Sequence, residues 1–165
     1  MTAIPEFHRP FPVDRIGTTP LEQDVAATAA ECAALAIRLG IPAIHSLQCR
    51  FRLQRGEAGR ISAEARLRAR LVRDCVISLD PFDAEMVEDF CIGFVPQGLE
   101  SDDPDPESED EIGYAGGAID LGEAAAEQLS LSLDPYPHKP GAALPDAAVE
   151  PLASPFAILS RRLDG

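Results

Sequence analysis

At 165 residues with 45% hydrophobic side chains, the chain is long enough to bury the core of one domain, and with no Trp and only 7 Phe that core must be filled by Leu, Ala, Ile and Val. No apolar run approaches the roughly 20 residues that cross a bilayer, which argues against a helical membrane protein. A formal net charge of −14, if evenly spread, would repel any phosphate backbone.

The opening stretch, MTAIPEFHRPFPVDRIG, has neither a basic segment followed by an apolar one nor a cleavage site, so no secretory signal is expected and the cytoplasm is the default location. Residues 6 to 16 read as an extended edge segment, broken by Pro10 and Pro12. TTPLEQDVAATAAECAALAIRLGIP then reads as a helix: Thr19 serves as N-cap, Pro20 takes the first position and Glu22 completes a capping box. Leu21, Val25, Ala29, Cys32, Leu35, Ala36 and Leu39 recur along one face, and Gly40 and Pro42 end it.

HSLQCRFRLQ alternates Leu47, Cys49, Phe51 and Leu53 with Gln48, Arg50, Arg52 and Gln54, the period-two pattern of a half-buried strand. RGEAGR supplies a turn, and ISAEARLRARLVRDCVISL returns as a second strand with Arg66, Arg68 and Arg70 at every second position. For both apolar faces to point the same way, paired residues must have numbers summing to an even value, which places the arginines of both strands on one face. DPFD, residues 80 to 83, reads as a turn, and EMVEDFCIGFVP as a strand with Met86, Phe90, Ile92 and Phe94 on its apolar side. AIDLGEAAAEQLSLSLDP is a second helix, capped by Asp120 with Glu123 three residues on, and with Leu121, Ala125, Leu129 and Leu133 as its stripe. The six prolines between 134 and 155 predict an irregular arm, and SPFAILSRRL a short amphipathic helix anchored by Phe156, Leu159 and Leu163.

The expected architecture is α+β: an antiparallel sheet built on a hairpin or meander, with barrel-like closure as one form of it, flanked by two main helices. A single domain covers 1–133 and includes a mobile acidic loop at 98–113, while 134–165 form the Pro-rich arm with its helix near 155–163.

Charge is segregated along the chain. Residues 1 to 73 hold 11 basic and 7 acidic side chains, residues 74 to 111 hold 14 acidic and none basic, and the remainder holds 3 basic and 7 acidic. Eight arginines fall between residues 50 and 73, against only Glu57 and Glu64. Like charges opposed across strands destabilise a sheet, so the cluster asks for carboxylate partners elsewhere in the fold or for a ligand. PQGLESDDPDPESEDEIG, residues 96 to 113, lacks periodic apolar residues and reads as a solvated loop.

Catalytic chemistry finds no support. Cys32, Cys49, Cys75 and Cys91 form no CxxC pair, so they read as reduced, buried thiols rather than metal ligands. His8, His45 and His138 lie in loop-like sequence with no nucleophile beside them. IGYAGGAID lacks the spacing and the Lys of a phosphate-binding loop. Asp80, Asp83, Glu85, Glu88 and Asp89 could chelate Mg²⁺ as in a metal-dependent nuclease, but their spacing matches no known loop and a solvated turn is the plainer reading. No cofactor, metal or small-molecule substrate is expected.

RDCVISLDPF, AIDLGEAAAEQLSLSLDPYPHKPG and SPFAILSRRL occur here in the order found in the YceD family of large ribosomal RNA subunit accumulation proteins, which the chain resembles from about residue 5 onward. Ile119 to Glu123 and the Pro-Phe-Ala tail are the most specific parts, and the version here is most similar to alphaproteobacterial members. The resemblance implies a bacterial factor in 23S ribosomal RNA accumulation and large-subunit assembly, without assigned catalytic residues. One common form of the family carries two cysteines in its central motif. Here Cys75 stands alone before Val76, and the arm offers only His138, so a metal site does not carry over.

Two roles follow as expectations. In the first, Arg50, Arg52, Arg66, Arg68, Arg70 and Arg73 contact 23S ribosomal RNA or its precursor, by backbone contact rather than base stacking, because the polar face carries no aromatic residue. In the second, the acidic loop or the tail helix engages a basic large-subunit ribosomal protein, and the arginines pair with the chain's own carboxylates.

Overall fold

The computed structural model describes residues 5–100 and 110–143. Among these residues seven strands and two α-helices follow in the order β1 (Pro10–Pro12), β2 (Leu21–Ala26), α1 (Ala29–Leu39), β3 (Ala43–Arg55), β4 (Ile61–Asp74), β5 (Pro81–Pro96), β6 (Asp110–Tyr114), β7 (Ala118–Asp120) and α2 (Leu121–Ser132). β2 to β6 make one open five-stranded sheet in sequence order, antiparallel except that β6 runs parallel to β5, while β1 and β7 form a separate antiparallel pair. The α+β expectation holds, and the sheet does not close.

Alternation dictates the long hairpin. Leu47, Cys49, Phe51 and Leu53 of β3 and Ile61, Ala63, Ala65, Leu67, Ala69 and Leu71 of β4 are buried, and every polar residue between them is exposed. The register pairs Arg50 with Arg66, Gln48 with Arg68 and Arg52 with Glu64, the even-sum pairing that common burial demands. A bulge at His45 shifts the register beyond Ser46. Helix α1 packs on β3, and α2 packs against β1, β2 and β4, so the core lies between the sheet's inner face and the two helices.

Helix α1 is shorter than its periodicity suggests. Residues 21 to 26 form β2 instead, and the cap is Thr28, whose hydroxyl accepts from Glu31 N–H while Glu31 accepts from Thr28 N–H, a complete capping box. Leu21 and Val25 fit either period, being four apart and both odd. Pairing with β3 over Leu21–Leu53 to Ala26–Gln48 decides for the strand. The expected turn at 80 to 83 also moves. The chain reverses over Cys75 to Asp80, where Leu79 N–H donates to Cys75 C=O and Cys75 N–H to Asp80 C=O, and Pro81 opens β5. Part of the expected acidic loop is a strand: Ile112 of β6 sits opposite Phe94 and turns toward the core. The stretch 101–109 and the tail anchors Phe156, Leu159 and Leu163 lie outside the described residues.

The N-terminal segment clamps both helices. The Arg9 guanidinium forms paired bonds of 2.7 Å to Glu31 and reaches Ala26 C=O at 3.0 Å, and Arg38 bonds both Glu123 and Glu6. The hydrogen bonds from Arg9, helped by Thr28, hold the Glu31 carboxyl at about 2, against an ordinary value of 4.5. A folded-state value below the unfolded one means that this pair's stabilisation is full above about pH 4.5 and is lost as pH falls toward 2. Urea titrations across that range should therefore show falling stability, and Glu31→Gln should flatten that portion of the curve while costing about 1–2 kcal/mol at neutral pH.

Candidate functional site

The outer face of the sheet collects five of the six singled-out arginines. Arg50 and Arg52 project from β3, and Arg66, Arg68 and Arg70 from β4, because each occupies an exposed position of an alternating strand. Arg73 does not join them. It lies near the end of β4 at the opposite parity, half-buried, and donates to Asp134 C=O at 2.6 Å.

Cross-strand register arranges this face in rows. Asp24, Arg50, Arg66 and Asp89 stand side by side on β2 to β5, with the two like charges in the middle and a carboxylate at each end. Arg50 donates to both oxygens of Asp24 at 2.7 and 3.0 Å, and Arg66 to both oxygens of Asp89 at 2.6 and 2.7 Å. These forked bonds relieve the Arg50–Arg66 opposition and hold the Asp24 and Asp89 carboxyls below their usual range. In the adjoining row Arg52 approaches Glu64 at 3.3 Å, and farther along Arg70 approaches Glu85 at 3.3 Å. Arg68, between Gln48 and Val87, makes no ion pair among the described residues. It lines a depression of about 650 Å³ together with Asp24, Gln48, Arg50 and Arg66.

The face is therefore a mosaic close to neutrality. Glu22, Asp24, Glu64, Asp83, Glu85 and Asp89 stand on this face with the five guanidinium groups, leaving it slightly acidic. The pairs are exposed, with the Arg66 and Asp89 side chains 55% and 62% accessible, so screening keeps each of them weak. An arriving phosphate would nevertheless have to displace a carboxylate at four of the five positions, at Arg50 and Arg66 a chelating one. No aromatic side chain lies on the outward positions of β2 to β5, so bases find no stacking platform.

Sequence reasoning finds the shared arginine face and Glu64 beside it, but not which carboxylates flank Arg50 and Arg66. The helical reading of residues 21 to 26 hides Glu22 and Asp24, and the strand read at EMVEDFCIGFVP carries Asp89 without a register that sets it beside Arg66. The signal was present in LEQDVA, where Glu22 and Asp24 alternate with Leu21, Gln23 and Val25, and in the odd positions Asp83, Glu85 and Asp89 of β5.

Elsewhere, no group of three or more His, Cys, Asp or Glu could hold a metal ion among the described residues, and Cys49, Cys75, Cys91 and His138 form no such cluster. All four cysteines are free thiols. Burial pushes the Cys49 thiol up to about 12, whereas the amide N–H groups of Ser78 and Lys139 bring that of Cys75, buried inside its turn, down to about 6. Among the described residues no helix is long and apolar enough to cross a membrane.

The family model described as large ribosomal RNA subunit accumulation protein YceD matches residues 63–155, more than half of the chain. No curated protein and no solved structure matches it.

Proposed function

The chain belongs to the YceD family of large ribosomal RNA subunit accumulation proteins, and from that membership we propose that it supports large-subunit assembly in the cytoplasm as a non-catalytic carrier for a basic protein partner. The observation that carries this reading is the internal neutralisation of the arginine face. Arg50, Arg52, Arg66 and Arg70 are each engaged by a carboxylate of the same sheet, so the surplus charge that the molecule offers its surroundings is acidic. An acidic surface attracts Lys- and Arg-rich ribosomal proteins and repels bare RNA.

Direct contact with 23S ribosomal RNA is the second reading, favoured by Arg68, which has no ion-pair partner among the described residues and shares a depression with Arg50 and Arg66. The test uses purified full-length chain, individual basic large-subunit ribosomal proteins and 23S fragments. We expect a ribosomal protein to bind with marked salt dependence after RNase treatment, and equally well to the Arg50→Glu/Arg66→Glu/Arg68→Glu variant. Binding to 23S fragments with a steep salt slope that flattens in this variant, with no ribosomal protein retained, would reject the carrier and establish RNA contact.

A further inference from the structure

Among the described residues β6 covers β5 from Ile92 to Pro96. From Pro81 to Cys91 one edge pairs with β4 and the other has no strand partner among the described residues. At about 3.3 Å per residue this leaves roughly 35 Å of extended backbone whose alternate N–H and C=O groups point outward. Strands of such length are rarely left open without charges to guard them or a partner to cover them.

The side chains along this edge specify what could cover it. On the outer face stand Asp83, Glu85 and Asp89, with Val87 between them 59% exposed. On the inner face Ala84, Met86 and Phe90 are half-buried at the rim of the core, with Glu88 among them. No Lys or Arg occurs between Asp74 and His138. A second copy pairing edge to edge would bring these carboxylates against one another, and an RNA phosphate would be repelled by the same groups. A strand with cations on one side and aliphatic residues on the other meets complementary chemistry on both faces.

We propose that the Pro81–Cys91 edge of β5 takes up, by strand addition, an extended segment of a protein partner in which Lys or Arg alternates with aliphatic residues. This rests on the carrier reading and assigns its docking site. The added cations fall beside Asp83, Glu85 and Asp89. Arg66 and Arg70 already hold Asp89 and Glu85 from the β4 side, so each of these two carboxylates would lie between two cations, extending the charge row by one strand. The aliphatic residues cover Ala84, Met86 and Phe90, and backbone hydrogen bonds supply affinity in the manner of β-augmentation.

The probe is a synthetic peptide of about nine residues alternating lysine and valine, titrated into the full chain while amide exchange is followed residue by residue. We expect saturable binding and new protection at alternate residues between 82 and 91. Both should weaken by about tenfold or more when alternate peptide amides are N-methylated, and likewise in an Asp83→Asn/Glu85→Gln/Asp89→Asn variant whose unchanged melting temperature shows that it is folded. Absence of binding, equal binding of the N-methylated peptide without protection on β5, or protection on β2 instead would each overturn the assignment. Concentration-dependent self-association that protects the same amides without peptide, or the same protection from an RNA oligonucleotide, would hand the edge to a second copy or to RNA. If the peptide fails while a basic ribosomal protein still binds, the docking site is wrong and the carrier survives. If both fail, so does the carrier.

Discussion

Gly122→Ala is expected to cost the fold about 3 kcal/mol, although alanine inside a helix is favoured over glycine by roughly 1 kcal/mol. A Cβ on Gly122 would lie 2.2 Å from the carbonyl oxygen of Phe7, 2.9 Å from its carbon and 3.0 Å from Arg9 N. These are backbone atoms, and they are pinned: Leu121 N–H donates to Arg9 C=O at 3.1 Å, and Arg9 N–H donates to Asp120 at 2.8 Å. Relief requires α2 or the N-terminal segment to back away, which opens the contacts of Phe7 and Leu121, both fully buried. Urea unfolding should show a lower midpoint at unchanged slope. A loss under about 1 kcal/mol would mean that the junction is softer than its hydrogen bonds indicate.

Asp120→Ala should follow closely, losing about 2–3 kcal/mol. One carboxylate oxygen caps α2 by accepting from Gly122 N–H at 3.0 Å and Glu123 N–H at 3.2 Å, and it also accepts from Arg9 N–H. The other oxygen meets His8 Nδ1. Truncation removes the cap, worth about 1 kcal/mol or more, and leaves a part-buried Arg9 N–H without its acceptor, at a similar further cost. Asp120→Asn should recover most of this, because asparagine caps about as well and retains one acceptor. If Asn proves as damaging as Ala in thermal and urea unfolding, charge at the His8 contact outweighs the cap. Together the two substitutions give the Ile119–Glu123 stretch a physical meaning: Ile119 and Leu121 are core, Asp120 is a cap, Gly122 permits backbone contact, and Glu123 holds Arg38.

The parts of the fold legible in sequence were those set by local period. β3 and β4 alternate so strictly that their inner faces, their parity and the common side of their arginines could all be read. α2 was readable from Asp120 and its leucine stripe. Where two periods coincide, as at Leu21 and Val25, only the availability of β3 as a partner decides, and that is a tertiary fact. β6 was hidden because averaging over an acidic run masks Ile112 and Tyr114, whose alternation is enough to dock a short strand. The candidate site divides in the same way. That Arg50 and Arg66 share a face follows from parity within one hairpin. That Asp24 and Asp89 flank them depends on the register of two further strands, which side-chain burial across the whole sheet determines.

The pairing of Pro10–Pro12 with Ala118–Asp120 has a consequence for synthesis. The hairpin of β3 and β4 joins neighbours in the chain and can close while translation continues. Phe7 and Phe11 have no such option: the residues that complete their cover, in β7 and the start of α2, leave the ribosome more than 100 residues later. The segment around Phe7 and Phe11 therefore emerges well before the strand and helix that cover it, and its apolar side chains stay open to solvent or chaperones over that interval.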